Sequence, residues 1–162
     1  GFVYVAVMMS FIYQIRELQN GGEFVVLLFL AAWGNDTLAY CTGMLIGKHK
    51  MSPILSPKKS IEGLVGGIVG AAILGALYGL YLNTYIRFSF NPVTMFPIVC
   101  GLSGAVSVIG DLAASAIKRD SGIKDYGTLI PGHGGILDRF DSIIFIAPVI
   151  YYLTVMISGG AI

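Results

Sequence analysis

The chain has 162 residues, of which 56% are hydrophobic and only 12% charged, and its net charge is +1. Soluble domains carry about 25% charged residues, so this composition excludes an ordinary soluble domain and points to an integral membrane protein. The near-zero net charge gives no footing for a nucleic-acid partner. Cys41 and Cys100 lie in apolar runs without metal-type spacing, and they read as small buried hydrophobes.

Crossing the hydrocarbon core takes about 20 mostly apolar residues in a helix, the element that satisfies its own backbone in lipid. Five segments meet this pattern: 2–15, 24–47, 61–82, 92–117 and 136–158. The expected fold is therefore all-α, a polytopic integral membrane bundle of about five transmembrane helices. The first segment, FVYVAVMMSFIYQI, is short and begins beside Gly1 with no recognisable signal peptide. Residues 1–23 thus read as a truncated membrane helix with a short loop, and upstream helices are expected. Residues 24–162 read as the membrane-embedded domain that carries the site.

The second segment holds WGNDTLAY, which sets Asn35 and Asp36 near mid-helix. An acid at the centre of a membrane helix costs about 2.5–3.5 kcal/mol on insertion scales, so this pair marks either a helix-locking contact or a polar pocket. The loop at 48–60 comes next, with Lys58 and Lys59 just before the third helix. It reads as a membrane-flanking basic loop or a phosphate-binding element. His49 reads as a surface residue. The third helix, EGLVGGIVGAAILGALYGL, holds the pairs Gly63/Gly67, Gly66/Gly70 and Gly75/Gly79. Small residues at this spacing allow close helix approach in lipid, within one chain or across a dimer.

The fourth segment ends in SVIGDLAASAIKR. At 3.6 residues per turn Asp111, Ser115 and Lys118 share one face, with Arg119 beside it. The loop at 118–135 contains Lys124 and the glycine-rich PGHGG, where Gly132, Gly134 and Gly135 around His133 permit close ligand approach. The fifth segment opens with ILDRFD, placing Asp138 and Asp141 on one face with Arg139 between them. Loops 48–60 and 118–135 fall on one side of the membrane and hold seven Lys and Arg residues, against two on the other side. The positive-inside rule places them in the cytoplasm.

Three carboxylates, Asp111, Asp138 and Asp141, are thus expected to converge at one depth near the cytoplasmic surface. Unpaired carboxylates repel, and hard divalent cations such as Mg²⁺ relieve that repulsion while binding phosphate oxygens. The nearby bases suit phosphates. The pattern points to metal-assisted chemistry on a polyphosphate. No P-loop, HExxH motif or nucleophile elbow is present.

The stretch Ser115 to Asp141 resembles the signature of phosphatidate cytidylyltransferases, the CDP-diacylglycerol synthases. The matching elements are Ser115, KR at 118–119, KD at 124–125, Gly127 and LIPGHGGILDRFD from Leu129; NDTLAY at 35–40 and SPKKSIEGLVGG at 56–67 agree as well, with Ser60 where threonine is common. The resemblance implies transfer of a cytidylyl group from CTP to phosphatidic acid, yielding CDP-diacylglycerol and pyrophosphate. It implies metal ligands among Asp111, Asp138 and Asp141, with two metal sites, one for Mg²⁺ and a second for an ion not identified. Lys118, Arg119, Lys124 and Arg139 would steady phosphates. Lys58, Lys59, Ser115, His133, Gly134 and Gly135 would bind substrate, and Asn35 and Asp36 would support the pocket. The implied setting is a bilayer, in the bacterial inner membrane or an endomembrane, with the site facing the cytoplasm and the chain as a homodimer. A relative acting on another lipid phosphate has the same constellation. A cation channel or transporter fragment is the alternative from another class; it accounts for Asp36 and Asp111 but leaves the basic, glycine-rich loop without a role.

Overall fold

In the computed structural model, residues 2–52, 56–123 and 137–158 are described, with side chains for 5–51, 59–123 and 140–158. The chain opens as a π-helix, Phe2–Val7, that continues as α1, Met8–Glu17. A turn through Asn20, in the left-handed region at φ 60°, reverses the chain into α2, Gly21–Ile46. Then come α3, Ile61–Tyr85, α4, Pro92–Asp120, and α5, Leu137–Ile157. The helices α2 to α4, and α5 from Phe140 onward, are long and apolar enough to cross a membrane. With α1 they form an all-α bundle, and the chain is an integral membrane protein.

Local chemistry sets the helix ends. Asn91 caps α4 by accepting from the Val93 N–H at 3.0 Å, and Pro92 fills the first helical position, where no N–H is needed. Ser60 caps α3 by accepting from the Gly63 N–H at 3.1 Å. Several boundaries differ from those expected of the sequence. Lys118 and Arg119 belong to α4, which runs to Asp120, because Ala113–Ile117 keeps good helix formers past the apolar core. The segment 48–60 is not plain loop: β1, Lys50–Ser52, pairs antiparallel with β2, Ser56–Ser60. The second helix also starts at Gly21 rather than 24.

The glycine-rich α3 sits at the centre, packed on α4 and on the second half of α2. A Cβ on Gly67 would stand 2.7 Å from Asn35 Oδ1 and 2.8 Å from Ala39 Cβ. On Gly75 it would stand 2.7 Å from the Phe96 carbonyl oxygen, and on Gly79 2.5 Å from that of Pro92. The glycines are therefore consumed by packing within the chain, and a homodimer would have to use another face. Near the end remote from the hairpin, Phe24, Tyr78, Phe88 and Phe96 form an aromatic cluster, and the Tyr78 hydroxyl donates to Glu23 at 2.5 Å. The other end gathers the hairpin, the C-termini of α2 and α4 and the N-termini of α3 and α5.

Candidate functional site

Asp36 owes its place to a local irregularity. Residues Leu30–Gly34 of α2 form a π-helical turn, and regular α-helix resumes at Asn35. Such a turn inserts an extra residue and re-aims the side chains beyond it, and it recurs at functional sites. Here Asn35 is driven inward and is fully buried. Its side chain wedges between α3 and α4, with Oδ1 at 2.7 Å from the Cβ position of Gly67 and 3.1 Å from that of Gly104. Asp36, one residue on, is turned out into a cavity of about 520 Å³.

Asn35, Asp36, Ala39, Tyr40, Gly43 and Met44 of α2 line that cavity, with Lys50, Met51, Lys59 and Ser60 of the hairpin. Gly63 and Leu64 of α3 and Val108 of α4 complete it. Asp36 lies 10 residues before the end of its helix, a depth of about 15 Å. Asp111 lies 9 residues before the end of α4, about 14 Å down. The two acids therefore sit at one level.

A charge network joins four elements there. Lys59 Nζ of β2 donates to Asp111 Oδ2 of α4, both side chains being about a quarter exposed at 28% and 27%. The Ser142 hydroxyl of α5 is 3.4 Å from Asp36 Oδ2 and the Ser142 N–H donates to Asp141 Oδ1 at 2.8 Å. Lys118 Nζ lies 3.9 Å from Asp141 Oδ2. Among the described residues, the carboxylates of Asp36, Asp111 and Asp141 and the ammonium groups of Lys59 and Lys118 gather at this end of the bundle. Carboxylate oxygens are the donors that a hard divalent cation takes. Among the described residues, no three His, Cys, Asp or Glu side chains stand close enough to chelate one ion together.

The structure brings some of the expected residues together and leaves others apart. Asp111 pairs with Lys59 and Asp141 with Lys118, and Asp36, expected to support the pocket, lines the cavity and lies within reach of Ser142. Lys59 stands against a carboxylate, so its charge is already engaged. Ser115 is half-buried one turn beyond Asp111, while Arg119 is exposed on the flank of α4. Lys58 lies on β2, and Asp138 and Arg139 lie in the first turn of α5, with side chains outside the described ones. Lys124, His133, Gly134 and Gly135 lie outside the described residues. Two members were not anticipated. Ser142 is adjacent to Asp141, and its polarity inside an apolar run was the available signal. Lys50 lines the cavity, and only the strand pairing that carries it there reveals its position.

The model of the group described as "Cytidylyltransferase family" matches residues 1–157 of this chain. The chain is 37% identical over 157 residues to a protein of Staphylococcus saprophyticus named phosphatidate cytidylyltransferase, covering 97% of this chain and 58% of that protein. It is 40% identical over 152 residues to the protein of the same name from Staphylococcus aureus, covering 94% of this chain and 56% of that protein. The Staphylococcus haemolyticus protein of that name is 36% identical over 152 residues, with the same coverage of 94% and 56%. The chain spans a little over half the length of these relatives.

Proposed function

The chain belongs to the cytidylyltransferase family, and on that premise we propose that it carries the catalytic site of a phosphatidate cytidylyltransferase. CTP and phosphatidic acid give CDP-diacylglycerol and pyrophosphate. A phosphate oxygen of the lipid attacks the α-phosphorus of CTP, and the bond from that phosphorus to the oxygen bridging the β-phosphate breaks. The observation that carries the reading is that Ser142 reaches both Asp36 and Asp141 while Lys59 of the hairpin pairs with Asp111, at the end of the bundle where Asp36 and Lys59 line one cavity.

Both reactants are anionic, so the central physical problem is repulsion between nucleophile and target. Asp111, Asp138 and Asp141 would hold the divalent cations, with Mg²⁺ at one site. Bound there, such ions supply charge neutralisation on the phosphates and in-line orientation. The remaining work falls to the protein. Lys59 fixes the rotamer of Asp111 from across the gap between the hairpin and α4. Ser142 links Asp36 to the backbone of α5. Lys118 and Arg119, in the last turn of α4, with Lys124 and Arg139, bear on the phosphates.

The chain's charged end faces the cytoplasm in this reading, where CTP is found, and the lipid enters from the inner leaflet of a bacterial membrane. Diacyl and ether lipid phosphates share the same reacting group, and a substrate panel separates them. The test is incorporation of labelled CTP into lipid by the full-length protein, with and without Mg²⁺, beside its Asp138→Asn form. The expected result is product that depends on lipid phosphate and on the metal, and loss of at least about 100-fold in the variant. A rate indifferent to both metal and substitution would overturn the assignment.

A further inference from the structure

Lys59 is engaged by Asp111, but the cavity lining has a second lysine. Lys50 lines the exposed mouth and makes no ion pair with another described residue. Its place is fixed from both sides. Across the strands it is opposite Ser60, the residue that caps α3. Its neighbour His49 is clamped to the first turn of α3. The His49 N–H meets Glu62 Oε2 at 3.2 Å, its Nδ1 meets Oε1 at 2.6 Å, and its carbonyl accepts from the Ile61 N–H at 2.9 Å. The hairpin therefore holds the Lys50 backbone at the rim, with its side chain exposed at the cavity.

The cavity is consequently polarised. Its floor holds Asp36, beside the Lys59–Asp111 pair. Its mouth holds the Lys50 ammonium, which has no ion-pair partner among the described residues, beside the N-terminus of α3, where the helix dipole is positive. A ligand matching both ends carries anionic oxygens at the mouth. We propose that Lys50 is a further substrate-anchoring residue, holding a phosphate oxygen at the cavity mouth. This rests on the cytidylyltransferase reading, and it adds a residue outside the Ser115–Asp141 stretch. Two groups share the required chemistry: the terminal phosphates of the nucleotide and the phosphate of the lipid. The exposed position of Lys50 matches the nucleotide, which arrives from water.

Lysine acylation followed by mass spectrometry tests the contact directly on the full-length protein. The probes are CTP, inorganic pyrophosphate, cytidine and a dioctanoyl lipid phosphate. Lys48 is exposed and does not line the cavity, so it serves as the internal control. CTP and pyrophosphate are expected to protect Lys50 while cytidine does not, with Lys48 reacting equally throughout. Protection by the lipid phosphate alone assigns the same anchor to the lipid headgroup. Absence of protection by every phosphate, or equal protection of Lys48, overturns the proposal. In the kinetic arm, Lys50→Gln raises KM for the protecting substrate about tenfold, the scale of one charge-assisted hydrogen bond, with a smaller change in kcat. Lys50→Arg recovers most of that loss, and an arginine variant as impaired as the glutamine one argues against a charge contact. Protection of Lys50 without any lipid product would sink the reaction and leave the anchor standing. Lipid product with Lys50 unprotected and its variants silent would do the reverse.

Discussion

Replacing Gly67 by alanine tests whether the Asn35 wedge aims Asp36. The new methyl would lie 2.7 Å from Asn35 Oδ1, 2.8 Å from Ala39 Cβ and 2.9 Å from the Asn35 carbonyl oxygen. One of these is backbone, so α2 must retreat from α3. Overpacking of this kind costs about 1–3 kcal/mol. Alanine also gains helix propensity over glycine, about 1 kcal/mol, which would obscure the effect in a single variant. Gly101→Ala removes that ambiguity, because its Cβ would meet only Ala72 Cβ, at 3.7 Å. Both variants gain the same propensity, so the difference between them isolates the packing cost. At about 2–4 °C per kcal/mol for a chain of this size, Gly67→Ala should melt about 2–12 °C below Gly101→Ala in detergent. Asp36 comes directly after Asn35, so retreat of the helix also shifts a carboxylate of the site. A displacement approaching 1 Å costs on the order of 100-fold in rate. Melting by intrinsic fluorescence and labelled CTP incorporation are measured on the same samples. Equal melting temperatures and equal rates for the two variants would refute the wedge.

Further expectations concern the charge network and the hairpin. Lys59→Met leaves Asp111 without its partner and should destabilise by about 1–3 kcal/mol, less than the roughly 3–5 of a fully buried pair because both side chains are about a quarter exposed, 28% and 27%. The double variant Lys59→Met, Asp111→Leu should regain the lost melting temperature but not the activity; a double variant less stable than either single one would contradict the pairing. Ser60→Ala removes the cap on the Gly63 N–H and should cost about 1 kcal/mol, read as a lower melting temperature. His49→Ala and Glu62→Gln free the hairpin base, so KM for the substrate held by Lys50 should rise in both, without a matching fall in kcat. An unchanged KM would separate the clamp from the mouth of the cavity.

Much of the architecture is decided by local sums. A run of apolar residues long enough to cross lipid must satisfy its own backbone, so hydropathy alone locates the helices and makes the fold all-α. Asn91–Pro92 states a helix start through side-chain chemistry, and the acids and bases between Ser115 and Asp141 stand out as a candidate site because lipid tolerates such groups only for a reason. Partnership is different, since it depends on residues far apart in the chain. Lys59 finds Asp111 at a separation of 52 residues, and Ser142 reaches Asp36 at 106. The glycines of α3 permitted either a dimer seam or internal packing. Only the neighbouring backbones of Phe96 and Pro92, and the Asn35 side chain, turned them inward. The strand pairing that carries Lys50 to the cavity has too few apolar residues to register as periodicity. The order of residues sets how much each segment costs to place in lipid or water, whereas the packing of one helix on another settles which charges meet.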